Sequence, residues 1–206
     1  MVPATPYSPD SDRLEAEAYI ERVAFGGEDL SGVDASGSRL IECTFEGTGL
    51  SGVDLQSARI METTFDAVNA DTLDVSDGDW QDVTVRASRL GGVQAYGSTW
   101  SRVAFHGTKI DYLNLRDTRI TGLTFTDCVI GELDLSGVRA TTVTFTSTRV
   151  AHLTLSRSQL KNVDLRGAEL GHLTGLTGLK GTTISTDQFQ DLAPLLAAHL
   201  GISIGD

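Results

Sequence analysis

Four residues spaced twenty apart carry the richest chemistry the chain offers: Tyr112, Glu132, His152 and His172. Two imidazoles and a carboxylate can ligate a transition metal or change charge near neutral pH. Glu132, His152 and His172 are therefore the weak candidate for a metal site. The plainer reading is an incidental surface pair without a third close ligand, and no cofactor is expected. Cys43 and Cys128 are the two thiols, too few for a disulfide framework. The sequence holds no P-loop, no Gly-x-Gly-x-x-Gly after a strand, no Cys-x-x-Cys and no His-Glu-x-x-His. It names no catalytic residue, and the expectation is a protein that is not an enzyme.

The acidic residues show more order. Asp34, Asp54 and Asp74 recur at intervals of twenty, as do Glu42, Glu62 and Asp82, and Glu46 with Asp66. If that interval stacks them about 4.8 Å apart, each like pair repels by roughly 0.9 kcal/mol even at the dielectric of water. Stability alone does not select such columns. They are candidate partner-binding columns for a protein with a basic surface; the alternative is a solvated acidic face with Arg39 and Arg59 as partial partners. The chain of 206 residues carries 28 acidic against 16 basic side chains, a net −12, which argues against nucleic acid as a direct ligand. The charge is unevenly placed: residues 1–85 hold 18 acidic and 4 basic groups, residues 86–186 hold 7 and 12.

What positions these columns is a period of five. Every fifth residue from Ile20 to Leu170 is apolar, 31 positions without an exception; at the 40% hydrophobic content of this chain chance gives odds on the order of 10⁻¹². Five fits neither the 3.6 of a helix nor the 2.0 of a strand, and so short a repeat means a solenoid. The residue two earlier alternates between Val or Leu (Val33, Val53, Leu73, Val93, Leu113) and small residues (Ser38, Ala58, Gly78, Ser98, Thr118). Two inward residues per five, with Gly, Ser and Asp between them, describe a short side and a corner. A second period of twenty makes four sides per turn: Phe25, Phe45, Phe65, Phe105, Phe125 and Phe145 form one column broken only by Val85, and Trp80 and Trp100 fall in another. Small residues nearby, Ala70, Gly78, Ala95 and Val85, make room to bury both indoles. Cys43 and Cys128 take small inward slots about four turns apart, too far to bridge. Proline is absent from residues 10–193, as a ladder that uses its N–H groups requires.

Stretches such as Val-Asp-Leu-Arg-Gly-Ala-Glu-Leu (163–170) and Leu-Asp-Leu-Ser-Gly-Val-Arg-Ala (133–140) resemble the pentapeptide repeat family. The resemblance implies an all-β fold: a right-handed quadrilateral parallel β-helix of about seven to eight coils. In that family the best-understood function is DNA mimicry, an acidic rod occupying the DNA-binding saddle of DNA gyrase, a type II topoisomerase, in quinolone resistance. Gyrase is then the candidate protein partner; the alternative is an interaction scaffold whose acidic N-terminal half docks another basic partner. Here the C-terminal half is basic (Arg116, Arg119, Arg139, Arg149, Arg157, Lys161, Arg166), so the imitation of DNA is partial.

The expected organisation is a disordered segment 1–12, an N-terminal cap 13–19, the β-helix 20–173, and a helical cap 174–206. In the last, Ser185 or Thr186 can N-cap a helix, and Pro194 is expected to divide it into two short ones. Phe189, Leu192, Leu195, Leu196 and Leu200 supply apolar surface that either caps the last coil or also makes a homodimer. This tail resembles the C-terminal helix through which the mycobacterial fluoroquinolone-resistance member of the family dimerises. No apolar run approaches the roughly 18 residues of a membrane span, and no secretory leader precedes the repeat, so no membrane contact and a cytoplasmic location are expected.

Overall fold

The computed structural model describes residues 5–8, 13–203 and 205. They form a parallel β-solenoid of about nine turns closed by one C-terminal helix. Each turn has four sides, centred on the columns that begin at Ile20, Phe25, Leu30 and Ala35, here called sides one to four. Strands of eight residues, such as Asp79–Arg86 and Thr99–His106, run across sides one and two and pair in parallel. Strands of six, such as Asn69–Asp74 and Arg89–Gln94, build side three. From Ile20 to Thr174 every register pairs a residue with the one twenty later, from Ile20 with Leu40 to Thr154 with Thr174. The five-residue period therefore becomes an internal lattice, with the central residue of each side and the one two before it turned inward.

The interior is the aromatic ladder that the columns imply, with one detour. Phe25, Phe45 and Phe65 stack at 4.4 and 4.8 Å between ring centroids. The stack then crosses from side two to side one, Phe65 to Trp80 at 5.8 Å and Trp80 to Trp100 at 5.1 Å. It returns through Phe105 at 6.0 Å to Phe125 and Phe145. Val85 occupies the side-two slot opposite the indoles, so the two large rings and the one small residue share a fixed volume. Both tryptophans are buried and neither indole N–H has a partner. Cys43 and Cys128 are buried free thiols that burial pushes above the usual thiol range. Buried hydroxyls stitch the corners: Ser98 Oγ donates to the Val75 carbonyl at 2.9 Å and accepts the Gly78 N–H at 3.2 Å.

The corners follow two regimes. After side one the chain turns through a positive φ in every coil, mostly without glycine: Arg22, Glu42, Glu62, Asp82, Arg102, Thr142 and Asn162. After side three the turn uses Gly32 and Gly52 at φ 72 and 71 in the first coils only. From Thr72 onward that corner is absorbed into the six-residue strands, a change the period of five does not reveal.

Both ends depart from expectation. Residues 5–8 are ordered: Thr5–Pro6 pairs with Val23 and Ala24 at a spacing of eighteen, and Tyr7 packs on Phe25. The expected disorder of 1–12 therefore fails for these four, and residues 1–4 and 9–12 lie outside the described residues. Pro6 is tolerated because its strand is the sheet edge. Leu14, in the segment 13–19, is buried and joins the hydrophobic core. At the other end a 3-10 turn, Leu176–Leu179, and the short strand Thr182–Thr183 add a partial coil paired at a spacing of nineteen. The tail is one helix, α1, Thr186–His199, with Pro194 inside it; the expected division into two is wrong. Proline removes one hydrogen bond, from a carbonyl at exposed Gln190 that water can satisfy, while Leu192 and Leu196 hold the helix on the last coil across the break. Ser185 and Gln188 form a capping box, and the Gln188 amide donates to the Leu165 and Ala168 carbonyls at 2.7 and 2.8 Å. Among the described residues no helix is long and apolar enough to cross a membrane.

Candidate functional site: charged surface columns

The lattice sorts the predicted acidic residues into two separate places. Glu42, Glu62 and Asp82 stand at the corner entering side two, and Glu46 and Asp66 at its far edge, so five carboxylates flank one side of the rod. Asp34, Asp54 and Asp74 lie on side four, around the coil from them.

The two groups do different work. Asp34 Oδ1 accepts the Ser36 N–H at 3.0 Å, Asp54 Oδ1 the Gln56 N–H at 2.8 Å, and Asp74 Oδ1 the Ser76 N–H at 2.9 Å with the Ser76 hydroxyl at 2.6 Å. Asp29, Asn114, Asp134 and Asp164 repeat the arrangement. A side-chain oxygen accepting the N–H two residues on is an Asx turn, so these columns fix corners. The bond from Ser36 also holds the Asp34 carboxyl below the usual carboxylate range. The residue pattern Asp-x-Ser at 34–36, 74–76 and 134–136 carried that signal. A structural role explains the Asp34, Asp54, Asp74 column without any partner.

The side-two carboxylates have no such role. Positive φ at their corner is occupied by Arg, Glu, Asp, Thr and Asn alike, so turn geometry does not choose an acid there. Where the acidic half meets the basic half, ion pairs between coils close the columns. Asp66 meets Arg86 at 2.9 Å, and Asp82 meets the Arg102 guanidinium in a fork at 2.5 and 2.7 Å. The Arg102 hydrogen bonds hold the Asp82 carboxyl below its ordinary range. Glu42, Glu46 and Glu62 remain: among the described residues no side chain pairs with their carboxylates. Of the two arginines expected to offset the acidic face, Arg59 pairs with Asp79 at 3.7 Å across side one, and Arg39 with no carboxylate among the described residues.

In the basic half Asp134 is the exception to exposure. Its carboxylate is 2% exposed and receives Arg116 at 2.6 Å. Burial pushes it up, but the Ser136 and Arg116 hydrogen bonds outweigh that and leave it low. Asp164 is drawn down to about 2 by the Arg166 guanidinium and N–H.

The histidine column is placed as its spacing implies, Glu132 beside His152 and His152 beside His172, the rings 5.9 Å apart and crossed at 62°. Among the described residues no three His, Cys, Asp or Glu side chains converge on a point that could hold a metal ion. The five candidate dimer residues divide. Leu192 is buried and Leu196 half-buried against the last coil, so these two cap. Phe189, Leu195 and Leu200 are 53%, 43% and 71% exposed, with Ile202 beyond them at 57%.

Residues 29–66 match the family model described as pentapeptide repeats, in eight copies. Within that segment the chain carries pentapeptide repeats. The unbroken register carries the pentapeptide lattice on to Thr174. No curated protein matches the sequence significantly. Among solved structures, full-length QnrB1, a plasmid-mediated fluoroquinolone resistance protein, is 16% identical, with 96% of this chain and 95% of that one covered and a TM-score of 0.43. HetL, a pentapeptide repeat protein involved in heterocyst differentiation regulation from the cyanobacterium Nostoc sp. strain PCC 7120, is 15% identical, with 84% and 90% covered and a TM-score of 0.30.

Proposed function

We propose that this chain is a non-enzymatic binding protein that uses the acidic side two of its N-terminal coils to dock on a basic protein surface. The observation that carries the reading is the set Glu42, Glu46 and Glu62: carboxylates on adjacent coils that hold no turn and meet no cation among the described residues. Such a surface speeds and orients encounter with a basic partner. The family resemblance makes the DNA-binding saddle of a type II topoisomerase the partner to test first. The exposed face of α1, Phe189, Leu195 and Leu200, is the proposed homodimer contact; light scattering that finds only a monomer near 21.9 kDa at high concentration would remove it.

The test is DNA gyrase supercoiling with increasing protein, wild type beside Glu42→Lys/Glu46→Lys/Glu62→Lys. These positions are preferred to Asp34, Asp54 and Asp74, whose replacement would also loosen corners. Inhibition by the wild type and not by the variant supports the reading. A second reading, a scaffold for a different basic partner, is favoured by the acid giving way to cations from Arg86 onward, which a continuous imitation of DNA would not do. It predicts no effect on gyrase and capture of a basic protein by wild type alone.

A further inference from the structure

Side one in the C-terminal half forms a trough of about 770 Å³ that the acidic reading leaves unused. Its floor is the backbone of Ile120, Ala140 and Leu160. Arg119 and Arg139 form one wall, Thr121, Thr141 and Lys161 the other, and Lys180 closes the end. Gly181 brings the chain across that end, where a Cβ would run into the Leu160 carbonyl oxygen. Among the described residues no carboxylate lines the trough.

The four cations hold no part of the fold together. Six other cations in this half are committed to carboxylates, Arg86, Arg102, Lys109, Arg116, Arg149 and Arg166, while Arg89 and Arg157, on other sides of the coil, have no such pair among the described residues. Arg119, Arg139, Lys161 and Lys180 are exposed and have no ion-pair partner among the described residues. Arg119 and Arg139 are register partners on adjacent strands, an arrangement of like charges that destabilises a sheet. In the same column of the acidic half Arg39 also stacks on Arg59, but there Asp79 follows and pairs with Arg59.

We infer that this trough is a second docking surface, opposite in sign to the first, for a carboxylate-rich extended segment of a protein. Charge complementarity sets the sign. Its length sets the class: the trough spans about three coils, roughly 14 Å at the strand spacing, and its open end runs toward Asp79 and Asp82. A nucleic-acid duplex, charged at about every 1.7 Å, would extend past the cations into those carboxylates, whereas a short acidic stretch of polypeptide ends within them. The inference does not depend on which protein the acidic coils bind.

The experiment is fluorescence anisotropy of a labelled oligoglutamate peptide with the full chain at low salt, beside a single-stranded oligonucleotide of equal charge. Arg119→Glu/Arg139→Glu should weaken peptide binding at least about tenfold. Arg89→Glu/Lys109→Glu, the same charge change on side three, should alter it less than about twofold. Circular dichroism and thermal melts confirm that both variants fold. Unchanged binding by the trough variant overturns the proposal, as does equal loss in both variants, which would mean attraction by net charge alone. Tighter binding of the oligonucleotide than of the peptide also overturns it, in favour of a nucleic-acid site.

Discussion

The N-terminal and C-terminal coils are built on one interior and carry opposite surfaces. Phe45 stacks on Phe65 at 4.8 Å in the acidic half, and Phe125 on Phe145 at 5.2 Å in the basic half. Inward residues in both halves are buried to a few per cent, and the register is the same. The outward residues share none of this sameness: Glu42 and Glu62 give way to Asp82 and Arg102 along one column, Glu46 and Asp66 to Arg86 along another. Inward positions are fixed by volume, so they repeat. Outward positions are free of packing, so any pattern in them needs another cause. Some of that cause is local, as the Asx turns show. What is left includes the unpaired carboxylates of side two and the unpaired cations of side one, surface free for recognition.

The equivalence of the interiors gives the largest expected effect. Phe45→Ala and Phe125→Ala each remove a fully enclosed ring from the middle of a stack, and each should cost about 3–5 kcal/mol in urea unfolding. The two losses should agree within about 1 kcal/mol. A much smaller loss for Phe45 would mean that the acidic coils are packed more loosely, and the comparison of like interiors would fail.

Much of this was legible before any coordinates, and the reason is volume. The period of five, the phenylalanine column and the Val85 gap beside Trp80 and Trp100 all follow from what must fit inside a narrow tube. The capping role of Ser185 was legible too, since it needs only local chemistry. The Asx turns were visible as Asp-x-Ser but were outweighed by their spacing of twenty, which suggested a surface column. The ends were not legible: Thr5–Pro6 pairs at eighteen and Thr182–Thr183 at nineteen, so a search in steps of five loses them. Nor was the integrity of α1, because Pro194 argues locally against a helix that contacts with the last coil preserve. The Asp66–Arg86 and Asp82–Arg102 pairs lie at the repeat spacing, and that spacing with opposite charges was a sufficient signal.

The next effect separates carboxylates that build from those that only face outward. Asp134 is enclosed, accepts the Ser136 N–H at 2.9 Å and holds Arg116. Asp134→Ala should cost about 2–3 kcal/mol, whereas Asp74→Ala, which loses a half-exposed corner, should cost about 1 kcal/mol. Asp134→Asn should fall between the Asp134→Ala variant and wild type, since an amide oxygen can keep the turn bond but not the pair with Arg116. Acid provides a check on the same groups. Asp134 and Asp164 are both depressed below the unfolded carboxylate, Asp164 to about 2. Their contribution is therefore complete above about pH 4, and is lost as pH falls toward 2. A melting temperature that stays level across that window would contradict the assignment.

The smallest effect is the most discriminating. Glu42, Glu46 and Glu62 touch no cation among the described residues; Glu62 follows Glu42 in one column and Asp66 follows Glu46 in another, while Arg22 precedes Glu42. Reversing all three to lysine breaks no bond: it makes the 46–66 and 62–82 neighbours attractive, keeps like charges at 42 and 62, and sets a lysine at position 42 beside Arg22. Unfolding free energy should therefore change by less than about 0.5 kcal/mol. Raising the salt concentration should shrink any change, because screening weakens both the attractions and the repulsions. A loss above about 1 kcal/mol would show that these glutamates support the coil after all. The acidic side two would then join the Asp34 column as architecture, and the unpaired cations of side one would carry the case for a recognition surface alone.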